Sequence, residues 1–304
     1  MRKIGVLILV SVILLIAACS NDSGGEGNEK TKIAIGGKNF TEQILLVHLL
    51  GTLLEHHTDH DIVLRDGLGT SNVLTQALKD NDIQLFVDYS GTGLINILGL
   101  ELQEDDTPES VYEKAKNGYE EEYGFTWLDT LGFSNTWTLI LREEKAKELN
   151  VKTFSDLVPH IPDLIVGSDA QFFERADGYV GMAEKYGMGQ FKDHKEMDIG
   201  LAFKAIDEGK IDVLVGYATD GRIPALNLVT LEDDKGYFPP YYAAPILRMD
   251  FLEKYPEVGE VLNMLSGVID EKEMSAMNSK MDNDQMDERE IVEEFLLEKG
   301  LIKK

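Results

Sequence analysis

The chain has 304 residues, 43% of them hydrophobic, with 29 Lys and Arg against 55 Asp and Glu and a single cysteine. That apolar fraction excludes global disorder, and the length suits two domains of ordinary size. A formal net charge of −26 excludes a binder of nucleic-acid backbones, because such a surface repels a polyanion. One cysteine also excludes an internal disulfide and a Cys-rich zinc module.

The N-terminus carries Arg2-Lys3, an apolar run from Ile4 to Ala18, and then Cys19 before the polar stretch Ser20-Asn21-Asp22-Ser23-Gly24-Gly25. A basic start, a short apolar run and small residues before a cut have the form of an export signal. The run is shorter than the ~20 residues that span a bilayer. Ile16-Ala17-Ala18-Cys19 looks like a bacterial lipobox, in which the cysteine is lipidated and becomes the new N-terminus. The expected layout is a signal peptide over 1–18 and a flexible, Gly- and Ser-rich tether over 19–30. Acyl chains on Cys19 then hold the protein at the outer face of the cytoplasmic membrane.

From Thr31 the pattern becomes that of a folded domain. Thr31–Gly36 alternates and reads as a strand. Thr41–His57 has apolar residues at 44, 45, 46, 49, 50, 53 and 54, an amphipathic helical face. A strand at Ile62–Leu64, a helix at Ser71–Lys79 and a strand at Ile83–Val87 are expected next. Further strands are expected at Trp137–Leu141, Leu164–Val166, Ile211–Val215, Leu228–Leu231 and Ala244–Leu247. Helices fall between most of them, and the last sixty residues read as largely helical. The alternation predicts an α/β fold with mainly parallel sheets, which bind ligands at the carboxyl ends of their strands.

Two segments echo each other. Residues 77–89 (Ala-Leu-Lys-Asp-Asn-Asp-Ile-Gln-Leu-Phe-Val-Asp-Tyr) align without a gap with 205–217 (Ala-Ile-Asp-Glu-Gly-Lys-Ile-Asp-Val-Leu-Val-Gly-Tyr). Each reads as a helix end, a tight turn, a buried strand, and a tyrosine just past the strand. Generic α/β punctuation also produces such helix-turn-strand units, but it does not supply the matched tyrosine; the sharper reading is two lobes, each offering a tyrosine to a shared cleft. More aromatics lie at expected strand ends: Trp137, and the run Tyr237-Phe238-Pro239-Pro240-Tyr241-Tyr242. The proline pair cannot continue a helix and suits an extended connector between lobes. Four electron-rich rings around one point form a box for a cation that lacks N–H donors, such as a quaternary ammonium. Each ring contributes about 0.5–2 kcal/mol.

Four ordered motifs carry a resemblance over essentially the whole chain from Thr31. They are Gly36-Gly37-Lys38-Asn39-Phe40-Thr41-Glu42-Gln43, Asp88-Tyr89-Ser90-Gly91-Thr92, Phe173-Glu174-Arg175-Ala176-Asp177-Gly178 and Gly216-Tyr217-Ala218-Thr219-Asp220-Gly221. Together with the lipobox they resemble the substrate-binding lipoproteins of osmoprotectant ABC transporters, which take glycine betaine, carnitine or choline. The resemblance implies a two-lobed periplasmic-binding-protein fold of type II with a ligand cleft between the lobes. Lobe I would comprise 31–133 plus 239–304, and lobe II 134–238. It implies an aromatic cage at Tyr89, Trp137, Tyr217 and Tyr241, with a ligand carboxylate held by Lys38, Thr92 and Arg175. It also implies delivery to an ABC permease with its ATPase, for uptake under osmotic stress, with no cofactor and no catalysis.

The family's cage is usually all tyrosine, and Trp137 departs from it. Indole is the strongest cation–π ring, so binding should survive with an altered choice of head groups. The Lys38 and Arg175 pair favours glycine betaine, proline betaine or carnitine over choline, which would leave both cations unpaired in a dry cleft. Two other readings compete. His56-His57-Thr58-Asp59-His60-Asp61 is a dense set of metal-ligating residues and suggests a metal-uptake lipoprotein, although its spacing does not match a helical pair built for one ion. A lipid-anchored hydrolase is the other, but there is no Gly-x-Ser-x-Gly elbow, His-Glu-x-x-His or phosphate-binding loop of the Walker type.

Overall fold

The computed structural model describes residues 30–103 and 105–303; the expected signal peptide, Cys19 and the tether up to residue 29 lie outside the described residues. The chain enters as β1 (Lys32–Lys38) and then α1 (Thr41–His57), which buries Leu45, Leu46, Leu49, Leu50, Leu53 and Leu54 to 1% exposure or less. Each such leucine stabilises the fold by about 1.5–3 kcal/mol. There follow β2 (Asp61–Gly69), α2 (Ser71–Lys79), β3 (Leu85–Tyr89) and β4 (Phe125–Trp127). After a crossing come β5 (Trp137–Arg142), β6 (Ile165–Ser168), β7 (Asp193–Glu196), β8 (Val213–Tyr217) and β9 (Leu228–Thr230). A return crossing leads to β10 (Ala243–Arg248) and then to helices, among them Glu271–Asp282 and Glu288–Glu298.

The strands form two five-stranded sheets, ordered β2-β1-β3-β10-β4 and β7-β6-β8-β5-β9. Parallel pairing was expected to dominate, and here the expectation needs correction. β10 runs antiparallel to both β3 and β4, and β5 runs antiparallel to both β8 and β9. The reason is topological: each of these strands enters its sheet from a crossing, without the helical return that keeps neighbouring strands parallel. Two strands carry no signal of the expected kind. β4 has three residues, and β7 is the charged edge sequence Asp-His-Lys-Glu, a composition that protects an open sheet edge.

The two sheets repeat one plan, and the echoed segments are its centre. Asn81 and Gly209 occupy matching turn positions with φ of 60° and 69°, in the left-handed region. The Gln84 amide donates to the Ala34 carbonyl, and the Asp212 amide to the Ile165 carbonyl, both at 2.8 Å. The same two side chains accept in return from the Ala34 and Ile165 amides. Strands β3 and β8 lie two residues later than expected, so Tyr89 and Tyr217 are the last residues of their strands. Opposite them stand Ala243 on β10 and Trp137 on β5.

The two crossings run side by side. Asn135 donates its amide to the Tyr241 carbonyl, Ala243 donates to the Phe133 carbonyl, and Ser134 bridges Tyr242 in antiparallel register. At the other end of α1 the histidines separate. His57 Nε2 lies 2.7 Å from the Leu301 carbonyl, and His60 pairs with Glu257 at 2.9 Å beside the Tyr255 ring. Among the described residues no group of three His, Cys, Asp or Glu side chains converges as a metal site. The histidine run thus fastens α1 to the C-terminal helices and supports no metal reading.

Candidate ligand-binding site

A narrow cleft is lined by Lys38, Phe40, Tyr89, Thr92, Asn135, Trp137, Gln171, Arg175, Tyr217 and Tyr241. All seven residues expected around the ligand thus lie together. Phe40, Asn135 and Gln171 are additions. Strand ends deliver most of them: Lys38 closes β1, Tyr89 closes β3, Trp137 opens β5 and Tyr217 closes β8. Thr92 opens the short π-helical turn Thr92–Ile97. Tyr241 comes from the return crossing, pressed so near Gly91 that a Cβ there would sit 2.8 Å from the tyrosine ring. Gly178 likewise closes the loop that carries Arg175 and Asp177, since a Cβ would lie 1.9 Å from the Phe172 carbonyl oxygen.

Both cations of the cleft have internal partners. Lys38 Nζ is 2.7 Å from Asp88 Oδ1, which also accepts from Ser71 Oγ and from the Tyr89 amide. Burial pulls the Lys38 pKa down, and Asp88 opposes that shift. Arg175 engages both oxygens of Asp177 through Nε and Nη2, at 2.8 and 2.5 Å, and Nη2 also donates to Thr92 at 3.2 Å. Burial works against the guanidinium charge, but Asp177 outweighs it and the Arg175 pKa rises. Choline in the cleft would therefore not leave the two cations unpaired, and that ground for disfavouring it falls. Each cation is already paired with a buried aspartate.

The rings are organised just as closely. Arg175 lies 4.6 Å from the Trp137 ring centre and Lys38 Nζ 4.7 Å from that of Tyr89. Phe40 stacks on Tyr217 at 4.9 Å, and Trp137 meets Phe172, Phe238 and Tyr241 edge to face. The hydroxyls of Tyr89, Tyr217 and Tyr241 donate to Glu42, Asp169 and Asp177 respectively. Burial, reinforced by those acids, drives all three phenol pKa values well above 10, so the hydroxyls stay protonated and neutral.

Glu42 is a further residue to which the sequence analysis assigned no role, although it stands inside the quoted motif Gly36–Gln43. It is 2% exposed and accepts four hydrogen bonds: from Tyr89 and Asn135 on Oε1, and from Thr219 and Asn278 on Oε2. These donors come from β3, the first crossing, the turn after β8 and the helix Glu271–Asp282. A signal was available, because Glu42 shares one helical stripe with Leu45, Leu46, Leu49 and Leu53.

Residues 31–298 match the family described as the substrate binding domain of an ABC-type glycine betaine transport system. The chain is 35% identical over 292 residues to the carnitine transport binding protein OpuCC of Listeria monocytogenes, covering 95% of this chain and 94% of that protein. It is 32% identical over 301 residues to the ergothioneine transport permease/ergothioneine binding protein EgtU of Helicobacter pylori, covering 99% of this chain and 53% of that longer protein. Among solved structures, a glycine betaine/carnitine/choline ABC transporter protein superposes with a TM-score of 0.74 at 33% identity, covering 89% of this chain and 100% of the other. The two repeated sheets with the cleft between them are the type II periplasmic-binding-protein fold. The chain belongs to the family of substrate-binding domains of ABC-type glycine betaine transport systems.

Proposed function

We propose that the cleft captures a zwitterionic quaternary ammonium compound, carnitine or a betaine, and presents it to an ABC permease. The observation that carries this reading is the meeting of four aromatic side chains with two cations that keep donors in reserve. Asp88 takes one of the three ammonium protons of Lys38, and Asp177 and Thr92 take Nε and Nη2 of Arg175. Nη1 and the other Lys38 protons are then donors for a ligand carboxylate, with Thr92 beside them. Tyr89, Trp137, Tyr217 and Tyr241 receive the methylated ammonium, whose charge their ring faces attract. Carnitine and glycine betaine lead because glycine betaine stands in the description of the family and carnitine in the name of the 35% identical relative; proline betaine shares their chemistry.

In this reading lobe I comprises 31–133 and 239–304, lobe II comprises 134–238, and ligand contacts to both favour closure. Cys19 carries the lipid that holds the protein at the outer face of the cytoplasmic membrane; among the described residues no helix is long and apolar enough to cross it. Isothermal calorimetry against glycine betaine, proline betaine, carnitine, choline and ergothioneine tests the assignment. Saturable binding of at least one carboxylated ammonium ligand is expected. Heats for none of the five would overturn it.

A further inference from the structure

Each tyrosine of the cleft gives its phenolic hydrogen to a carboxylate: Tyr89 to Glu42 at 2.6 Å, Tyr217 to Asp169 at 2.9 Å and Tyr241 to Asp177 at 2.8 Å. The acids come from separate places, namely the first turn of α1 and the two flanks of the short helix Ala170–Glu174. Satisfying a buried phenol does not require an anion, since a carbonyl or a hydroxyl would serve. Asp177 has the Arg175 guanidinium on its two oxygens. Glu42 and Asp169 are different. The donors to Glu42 are a phenol, a hydroxyl and two amides, all neutral. Asp169 receives the Tyr217 phenol and the backbone amide of Phe172. Among the described residues neither acid is part of an ion pair.

An anion behind a phenol acts on a cation in front of the ring in two ways. The hydrogen bond polarises the phenol and enriches its ring. The carboxylate's own field also reaches a cation over the ring, at a range where unit charges in a protein interact by more than the thermal energy. Around Tyr89 this counteracts Lys38, whose ammonium lies 4.7 Å from the ring centre. Four donors converging on the two oxygens of Glu42 support its ionised form against the upward push of burial.

We propose that Glu42 and Asp169 are specificity-determining residues that act through Tyr89 and Tyr217, supplying the negative charge by which the cleft selects a cationic head over a neutral head of the same shape. The proposal rests on the quaternary-ammonium reading above. Its reach extends further, to residues with no expected ligand contact.

The test pairs glycine betaine with its carbon isostere 3,3-dimethylbutanoate, in which carbon replaces the ammonium nitrogen. Glu42→Gln and Asp169→Asn keep size and an acceptor while removing charge. In Glu42→Gln the introduced amide nitrogen can face Thr219, whose hydroxyl accepts, and Asn278, whose Oδ1 has no partner. Calorimetry on the full-length protein, with the weaker ligand measured by competition, should show each variant losing about tenfold or more for glycine betaine. Affinity for the isostere should stay level or rise. Equal losses for the two ligands, or undiminished affinity for glycine betaine, would overturn the proposal while leaving the quaternary-ammonium reading intact. A wild-type protein that binds no quaternary ammonium would overturn both. If Glu42→Gln lowers the melting temperature so far that binding cannot be read, Asp169→Asn, at a partly exposed carboxylate, decides the outcome alone.

Discussion

Replacing Arg175 by alanine perturbs three interactions at once, and their signs differ between ligands. A betaine carboxylate loses a charge-assisted hydrogen bond, a cost of about 1.5–3 kcal/mol, or roughly ten- to a hundredfold in affinity. A ligand without a carboxylate loses nothing of that kind. The ammonium head of either ligand no longer shares the Trp137 ring with the guanidinium 4.6 Å from its centre and is no longer repelled by a neighbouring cation, and for a ligand without a carboxylate nothing offsets that gain. At a separation of about 7 Å and an effective dielectric near 20, that repulsion is worth about 2 kcal/mol. Asp177, freed of its two bonds to Arg175, is then an additional attraction for a cation. The expected result is a reversal, with weaker binding of glycine betaine and carnitine and equal or tighter binding of choline. The fold pays for the change, since breaking a buried pair costs about 3–5 kcal/mol and lowers the melting temperature by roughly 2–4 °C for each kcal/mol. Calorimetry with glycine betaine and choline, well below the variant's melting point, reads the ratio directly. Parallel losses for both ligands would refute the reasoning and leave Arg175 as a brace between Asp177 and Thr92.

Tyr89→Phe, Tyr217→Phe and Tyr241→Phe should keep affinity within about tenfold, whereas alanine at the same sites should cost more, because only alanine removes the ring face. Calorimetry that found alanine harmless at all three and at Trp137 would eliminate the aromatic cage. Trp137→Tyr should retain binding and shift the order of head groups in a competition assay. Cys19→Ala should release the protein from the membrane fraction with ligand affinity unchanged; full membrane retention of the variant would refute lipid anchoring. Burial raises the Glu42 pKa above 4.5 in the folded state, so the folded protein keeps this proton to higher pH than the unfolded chain. The contribution of this group to stability therefore falls as pH rises from 4.5 through its folded pKa. Denaturant melts of Glu42→Gln across that window should show a flatter pH dependence than wild type, and an unchanged slope would count against a buried ionising Glu42.

What the sequence revealed depended on periodicity and short-range pattern. The leucine stripe of α1 and the echo between residues 77–89 and 205–217 are local features and survive as built, while the strands of the echo lie two residues later than expected and take in Tyr89 and Tyr217. The seven residues expected around a ligand meet in one cleft, and four of them, Lys38, Tyr89, Trp137 and Tyr217, stand at strand ends. Pairing direction was not legible, because β5 and β10 look like any other apolar strand until their partners are known. β7 was hidden because a charged edge strand has the composition of a loop. The partners of the cleft's charges were hidden for a related reason. Asp88 and Asp177 stand inside quoted motifs, but nothing in a one-dimensional pattern says that they neutralise Lys38 and Arg175. Distance in space decided both the correction about choline and the importance of Glu42.

The paired crossings have a mechanical consequence. Residues 133–135 and 241–243 are joined edge to edge by main-chain hydrogen bonds in antiparallel register. In the two-lobe reading proposed above, opening of the cleft passes through this narrow ribbon, which favours rotation about one axis over translation. Tyr241 hangs from that axis, its hydroxyl on Asp177 and its ring edge toward Trp137. In that reading the proposed ligand contact to Tyr241 acts at the pivot, where a small angular change becomes a large displacement at the outer rims of the two sheets.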